Sequence, residues 1–285
     1  MTKIKFGTDG WRAIIAHEYT VENVKRVTQG TVNWLKEIGG TKVVIGHDCR
    51  FGGPMFAETA ARVFGANGIK VNLAKGFVST PMVSLGVVKT KADAGIVITA
   101  SHNPPSYNGY KLKSAYGGPT IPKDVAKVEA LLPENYDGDL PSLDEMLDDG
   151  LLNYIDLEDI YVKHVEENFD LEAIKNSGLK MAYDAMYGAG KAAVARLLPD
   201  AILLHSDDNP GFHGQAPEPI HRNLLELSEL IKNDPTIDVG LANDGDADRI
   251  GMYDGDGNFV DAHHLLLLLL YYLVEHKNMK GRVVV

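Results

Sequence analysis

Cysteine is nearly absent from the 285-residue sequence: Cys49 is the only one, so no intrachain disulfide can form. Such sparse use of cysteine fits a reducing, cytoplasmic setting. Cations are also in the minority, with 28 Lys and Arg against 39 Asp and Glu and a net charge of −11. No basic stripe is available for nucleic-acid phosphates, which argues against a nucleic-acid partner. A small phosphorylated substrate is still compatible, because a few local cations can form a pocket in an acidic protein.

Long apolar segments are missing as well. The most apolar run covers residues 265–274, and at about ten residues it is too short to span a bilayer. We therefore predict a buried helix there and no membrane partner. The N-terminal residues lack the apolar stretch of a signal peptide, so we expect none.

Strand-like and helix-like segments alternate along the chain, which predicts an α/β protein with largely parallel sheets covered on both faces. The length suggests two domains. A stretch rich in Pro, Asp and Gly at 132–149 is the best boundary, and it divides the chain into domains at 1–148 and 149–254. Strands are expected at 42–46, 69–74, 94–99, 179–183, 201–205 and 237–242, and helices at 20–38, 54–64, 81–88, 190–198, 223–232 and 265–276.

The last residues, 255–285, fit neither domain. A helix is followed by the strand-like segment 281–285, and neither has an evident partner. We expect the start of a truncated third domain. A C-terminal strand added to the second sheet is the alternative.

Three aspartates alternate directly after the strand predicted at 237–242: Asp244, Asp246 and Asp248. Alternating side chains can converge on one hard cation, and clustered carboxylates are unfavourable without one. The strand end is also where open α/β sheets bind ligands. An EF-hand is excluded, because Arg249 stands where that loop needs glycine. A solvated acidic turn stays open as an alternative.

Ser101 and His102 follow the strand predicted at 94–99, in a segment that continues with Asn103 and two prolines. A serine beside a histidine suggests a nucleophile with its base, but the Gly-x-Ser-x-Gly turn of serine hydrolases is absent. Neighbouring side chains in an extended loop also point apart, so His102 is expected to be poorly placed to deprotonate Ser101. In isolation, an ordinary polar loop is as good an interpretation.

Two cations complete the set of candidates. Arg12 follows two glycines and offers a guanidinium that suits phosphate, although a surface turn is an equal alternative. Lys111 lies ten residues after Ser101, beyond an apparent turn at Asn108-Gly109. It is either a solvated side chain or a proton carrier that folds back on the serine.

Taken together, the segments Phe6 to Arg12, Thr99 to Lys111 and Asp244 to Arg249 resemble the motifs of the α-D-phosphohexomutases. Within them the bacterial phosphoglucomutase/phosphomannomutase group is the nearest. The resemblance covers essentially the whole chain as the N-terminal part of a longer protein. It implies two consecutive α/β/α sandwich domains with mixed or parallel sheets, followed by an incomplete third domain.

The resemblance also implies a function: interconversion of hexose 1-phosphate and hexose 6-phosphate, glucose or mannose, through a phosphoserine and a hexose 1,6-bisphosphate. Ser101 would carry the phosphate, and it would join three aspartates as a ligand of one Mg²⁺ ion. Lys111 would act as general acid or base and would also bind phosphate, together with Arg12, Asn103 and Arg249; Arg12 and His102 would complete the catalytic residues. The residues implied around the phosphate or the metal are Arg12, His102, Asn103, Arg249, Asp244, Asp246 and Asp248.

The partners implied are small sugar phosphates and the C-terminal domains of the full-length protein, whose absence predicts little or no turnover. A phosphoglucosamine-type mutase is the nearby alternative, which Trp11 and the segment Pro105 to Tyr107 disfavour weakly. A non-catalytic protein that binds metal or sugar phosphate is the alternative from another class.

Overall fold

Residues 4–7 and 10–283 are described by a computed structural model of the chain. Two β-sheets, each flanked by helices, follow one another along the sequence. The first sheet has six strands in the order β1-β5-β4-β2-β3-β6. These are β1 (Trp11–Ile14), β2 (Lys42–His47), β3 (Lys70–Ala74), β4 (Ala94–Ile98), β5 (Tyr107–Ser114) and β6 (Leu152–Ile155), with the helices α1 (Val21–Glu37), α2 (Gly53–Ala66), α3 (Thr80–Thr90), α4 (Pro122–Ala130) and α5 (Leu143–Asp148).

The second sheet has five strands in the order β11-β10-β9-β7-β8. Its strands are β7 (Met181–Asp184), β8 (Ile202–Leu204), β9 (Val239–Asn243), β10 (Ile250–Asp254) and β11 (Phe259–Val260), and its helices are α8 (Lys191–Leu197) and α9 (Leu225–Asn233). Two helices, α6 (Leu157–Asn168) and α7 (Leu171–Asn176), connect the sheets, and α10 (Ala262–Tyr271) with a π-helical turn (Tyr272–His276) follows the second.

Local sequence explains most of these elements. Thr20 caps α1 by accepting the Asn23 N–H, and Gly39, with a φ of 74°, follows the end of the helix. Strand β4 is buried at every position, which fits the apolar run expected of a central parallel strand. The predicted strands and helices between residues 20 and 99 are all present, with ends that differ by a few residues.

Both sheets are mixed. In the first, β2 pairs in parallel with β3 and β4, whereas β5 runs antiparallel to both β4 and β1. In the second, β9 is parallel to β7 and antiparallel to β10. The antiparallel pairs β4–β5 and β9–β10 are each joined by a short loop instead of a crossover helix, since an antiparallel return needs only a few residues. The α/β class and the mixed sheets that the sequence implied are confirmed.

One apolar core is common to both halves of the molecule. It lies on one face of the first sheet, at Val44 and Val97, and it includes Leu157 and Val162 of α6 and Ala193 of α8. The first sheet itself extends to β6, because Leu152–Ile155 pairs in parallel with β3 beyond the predicted boundary at 148. The two sheets are therefore joined through packed helices.

The prediction of a buried helix at 265–274 is wrong. Helix α10 has no buried residue, and Leu267 and Leu269 are 62% and 58% exposed, because the described elements cover only a small part of its apolar surface. Residues 281–283 do not form the predicted strand, and residues 284 and 285 lie outside the described part of the chain, as do residues 8 and 9 of the first motif. No helix among the described residues is long and apolar enough to cross a membrane.

Candidate active site between the two sheets

The candidate site is formed by two loops that leave the carboxyl ends of central strands. The serine loop, residues 99–104, follows β4, which lies between β5 and β2; the aspartate loop, residues 244–249, follows β9, which lies between β10 and β7. Ligand sites of open α/β sheets occur at such strand ends. The loops touch closely at Gly245, where a Cβ atom would lie 2.7 Å from the Ser101 carbonyl oxygen. Only glycine permits this approach.

Ser101 is 1% exposed, and its hydroxyl donates a hydrogen bond of 2.7 Å to Oδ2 of Asp244, a residue 143 positions away. Its backbone has a φ of 55°, in the left-handed region that serine seldom adopts. The side chain of Thr99 supports this turn by accepting the Ser101 N–H at 2.9 Å. The structure thus brings the predicted serine directly onto the first predicted aspartate.

His102 lies closer to the serine than the sequence suggested. Its Nδ1 is 3.4 Å from Ser101 Oγ. The expectation that the two side chains diverge assumed an extended backbone, whereas Ser101 turns left-handed. Burial, followed by the nearby charges of Arg249 and Arg12, lowers the pKa of His102. A neutral imidazole therefore faces the hydroxyl at the long end of hydrogen-bond range.

The three aspartates converge as predicted. One carboxylate oxygen from each of Asp244, Asp246 and Asp248 lies within 4.8 Å of the others. Asp244 and Asp246 are fully buried, and Asp248 is exposed. The loop is folded around Asp244, whose Oδ1 accepts the backbone N–H groups of Asp248 at 3.0 Å and Arg249 at 3.1 Å. Its other oxygen, Oδ2, faces Ser101.

Charge is not balanced evenly within this cluster. Burial and the neighbouring carboxylates of Asp246 and Asp248 raise the pKa of Asp244. Burial alone would also raise the pKa of Asp246, but the Lys111 ammonium outweighs it and lowers the pKa. The two shifts have opposite directions: protonation is favoured at Asp244 and ionisation at Asp246.

Lys111 belongs to strand β5, where the sequence suggested a turn. It is 1% exposed, and its ammonium donates to Asp246 Oδ2 at 2.7 Å and to Asp248 Oδ2 at 2.8 Å. The solvated alternative is therefore excluded. The side chain reaches from the first sheet into the aspartate loop of the second.

The remaining predicted residues surround the opening of the site. Arg12 at the second position of β1 donates through Nη1 to Asn103 Oδ1 at 3.2 Å, so the surface-turn alternative does not hold for this side chain. Arg249, the last residue of the aspartate loop, is exposed, and its backbone N–H donates to the Asp244 carboxylate. The positive charges of both arginines contribute to the lowered pKa of His102.

Sequence reasoning missed Arg50, a fully buried arginine that supports the serine loop. Its guanidinium donates to the carbonyl oxygens of Asn103 at 2.7 Å, Pro104 at 2.9 Å and Tyr107 at 3.2 Å, and also to that of Ser101. Its Nε donates to Asp48 Oδ2 at 3.2 Å. Every residue has a backbone carbonyl, so hydrogen bonds to carbonyls produce no sequence motif from which this role could be predicted. The position of residues 48–50 after β2, the strand beside β4, was the one available signal.

Asp48 completes this support. It is 1% exposed, and its Oδ2 also accepts the Thr99 hydroxyl at 2.6 Å. Burial raises its pKa to about 6 despite the adjacent Arg50. The pair links the ends of β2 and β4, so that the serine loop is fixed within its own half of the molecule.

The aspartate cluster suits a hard divalent cation. All its donors are carboxylate oxygens, the type that Mg²⁺ and Ca²⁺ prefer. Asp246 Oδ1 is buried without a hydrogen-bond partner among the described residues, which is costly unless something else contacts it. A cation beside Asp244, Asp246 and Asp248 would satisfy that oxygen and offset the carboxylate charge.

Sequence models of two domains match the chain. They are described as phosphoglucomutase/phosphomannomutase α/β/α domain I, over residues 3–138, and domain II, over residues 159–257. A curated relative, the probable phosphoglucosamine mutase of Pyrococcus furiosus, is 32% identical over 282 residues, which are 98% of this chain and 59% of the relative. The probable phosphoglucosamine mutase of Methanosphaera stadtmanae is 34% identical over 93% of this chain and 58% of its own.

A solved structure is similar throughout. The putative phosphomannomutase of Thermus thermophilus has a TM-score of 0.89 and 34% identity, over 99% of this chain and 63% of that one. The two sheets and their order therefore define the phosphohexomutase fold. Because the two domain models match most of its length, this chain belongs to the phosphoglucomutase/phosphomannomutase family. It spans about three fifths of the length of the curated relatives that it matches.

Proposed function

We propose that this chain carries the phosphoryl-transfer half of a hexose phosphate mutase, in which Ser101 accepts and donates the phosphoryl group. The observation that carries the proposal is the 2.7 Å contact between Ser101 Oγ and Asp244 Oδ2, which joins the serine of one half to the aspartate cluster of the other. A phosphate on this buried hydroxyl needs cations close by. Arg12, which contacts Asn103 of the serine loop, and Lys111, which contacts Asp246 of the aspartate loop, would supply that positive charge.

Asp244, Asp246 and Asp248 would hold one Mg²⁺ ion next to Ser101. When bound, the ion would offset the negative charge of the transferred phosphoryl group. Arg12, Asn103 and Arg249 would bind phosphate oxygens at the opening.

Lys111 is held as a cation between two carboxylates, so it would give a proton to the departing oxygen and take one back in the reverse step. A neutral His102, 3.4 Å from the hydroxyl, would be a second proton acceptor.

The proposed cycle keeps atoms in balance. The phosphoserine transfers its phosphoryl group to the free hydroxyl of a hexose 1- or 6-phosphate, which gives a hexose 1,6-bisphosphate and free Ser101. The bisphosphate then returns its other phosphoryl group to Ser101, and the isomeric monophosphate leaves. Because the chain spans 59% of its Pyrococcus relative, we expect Ser101 phosphorylation to exceed full turnover by far.

The test is phosphorylation of the purified chain by glucose 1,6-bisphosphate with Mg²⁺, followed by intact mass. We expect one added phosphoryl group, located on Ser101 by fragmentation, and none in Ser101→Ala. Ser106→Ala is the matched control, since Ser106 is an exposed serine of the same segment and its loss should leave the label in place. A label that survives Ser101→Ala, or saturable binding with no phosphoryl exchange, would reject the proposal in favour of another site or a binding protein.

Glucose or mannose is the sugar we propose first. An amino sugar is the second candidate, and it is favoured by the names of the curated relatives from Pyrococcus furiosus and Methanosphaera stadtmanae, both probable phosphoglucosamine mutases. The two are separated by competition between glucose 1,6-bisphosphate and glucosamine 1,6-bisphosphate for Ser101. Preferential labelling by the amino sugar would make the second candidate the function.

A further inference from the structure

Thr80, the first residue of α3, contacts the aspartate loop from the other half of the molecule. Its hydroxyl donates to Asp246 Oδ2 at 2.6 Å, and its backbone N–H donates to the Asp246 carbonyl oxygen at 2.9 Å. Thr80 is 3% exposed and Asp246 is 0% exposed, so water does not compete for these bonds. One residue therefore holds both the side chain and the main chain of Asp246.

The start of the helix explains why this contact forms. Ser79 caps α3 and Pro81 follows in its first turn, which fixes the orientation of Thr80 between them. The N–H groups of a first helical turn have no partner within the helix. The Asp246 carbonyl supplies one for Thr80.

The consequence lies in the two carboxylate oxygens of Asp246. Oδ2 accepts both the Thr80 hydroxyl and the Lys111 ammonium, at 2.6 and 2.7 Å. Oδ1 is left buried with no hydrogen-bond partner among the described residues. Fixing one oxygen of a carboxylate sets the direction of the other.

We infer that Thr80 is a positioning residue for the metal: by occupying Oδ2 of Asp246, it presents Oδ1 of the same carboxylate to the cation. The inference rests on the proposed function, because it assumes that the aspartate cluster binds Mg²⁺. Groups that orient metal ligands typically change metal affinity by about 10- to 100-fold when they are replaced.

Thr80→Val tests this inference, because it keeps the shape of the side chain and removes the donor. We expect the Mg²⁺ dissociation constant of the full chain to rise at least about tenfold, measured by calorimetry on protein whose phosphorylation state is fixed by intact mass. Thr80→Ser, which keeps the hydroxyl, should restore affinity to within about threefold. Without Mg²⁺, Thr80→Val and Thr80→Ser should have similar melting temperatures, although their Mg²⁺ affinities should differ strongly.

Thr59→Val is the matched control, because Thr59 is also buried and donates its hydroxyl to the Met55 carbonyl of its own helix, away from the site. It should leave Mg²⁺ affinity unchanged. Equal Mg²⁺ affinity in Thr80→Val and in the unaltered chain would overturn the inference alone, whereas an unaltered chain that binds no Mg²⁺ would overturn the proposed metal site. If Thr80→Val does not fold, a loss of affinity in Thr80→Asn, which keeps a donor at another position, supports the inference, and unchanged affinity there overturns it.

Discussion

The serine loop and the aspartate loop occupy equivalent places at the ends of central strands, yet they depend differently on the two halves of the molecule. Each turns through one left-handed residue that is not glycine, Ser101 with a φ of 55° and Ala247 with a φ of 53°. The serine loop is held by Arg50, from its own half of the molecule. The aspartate loop is held at Asp246 by Lys111 and Thr80, both from the other half, and at Gly245 by the Ala189 N–H of its own half.

This difference separates two tasks. A nucleophile needs a fixed direction of attack. The hydrogen bonds from buried Arg50 to backbone carbonyls fix that direction within the first half of the molecule. A metal cluster needs correct placement relative to that nucleophile. Because Lys111 and Thr80 belong to the same half as Ser101, they fix the position of Asp246 relative to Ser101.

The largest expected effect comes from Arg50→Met, which should break the support of the serine loop. The substitution removes the donor to four carbonyl groups and leaves Asp48 buried without its ion pair, which typically costs about 3–5 kcal/mol of unfolding free energy. Ser101 phosphorylation should fall by about 100-fold or more, because a misplaced reacting group has effects of that size. Urea unfolding and the initial rate of labelling measure the two effects.

Arg62→Met is the control for Arg50→Met, since Arg62 also donates to two backbone carbonyls, those of Leu140 and Pro141, far from the site. Arg62→Met should lower the free energy of unfolding and leave the rate of Ser101 labelling unchanged. An equal loss of Mg²⁺ affinity and of labelling in Arg50→Met would contradict separate support of the two loops.

An intermediate effect is expected from pH, and it should appear at the aspartate loop. Burial and the neighbouring carboxylates raise the pKa of Asp244, so its carboxyl group retains a proton until the pH passes that raised value. Mg²⁺ binds the ionised form. Affinity should therefore rise with pH, by up to about tenfold per unit below the pKa and level off above it.

Calorimetry at pH 6, 7 and 8, in buffers of different ionisation heat, would count the proton released on Mg²⁺ binding. The proton count should fall towards zero as the pH rises. Affinity that is independent of pH, with no proton release, would mean that Asp244 is ionised throughout.

The smallest effect is expected from Phe212→Leu, which tests a contact that the second half makes with the support of the serine loop. Phe212 comes from the second half and its ring centre lies 5.0 Å from Cζ of Arg50. A desolvated cation–π contact contributes about 2 kcal/mol. Because the bonds from Arg50 to the backbone carbonyls of the serine loop would remain, we expect labelling of Ser101 to slow only about threefold or less, which corresponds to about 0.7 kcal/mol. Phe56→Leu, a similar change in the core of the first half, should leave labelling unchanged. A loss of 100-fold in Phe212→Leu would show that the serine loop also depends on the second half.

Much of this arrangement could be predicted from sequence because it depends on local patterns. Apolar strands gave the positions of Ser101 and Asp244, and the strand-end rule explains why they meet. Strand β5 was harder to predict from the sequence, since Asn108-Gly109 is typical of a turn. Gly109 is in fact crowded within the strand, where a Cβ atom would lie 2.5 Å from the Thr99 carbonyl oxygen. The roles of Arg50 and Thr80 depend on contacts between distant segments, which no local pattern encodes.

The apolar core shared by Val97, Leu157 and Ala193 has a consequence for folding. Docking of the two halves through this core brings together Ser101 and Asp244, which are 143 positions apart. Because this contact closes a long loop, we expect it to form late in folding. During synthesis the serine would emerge well before the aspartates that face it. Mg²⁺ would then bind the docked state in preference to the open one and stabilise it by mass action. The metal would thus contribute to assembly of the molecule before any sugar phosphate arrives.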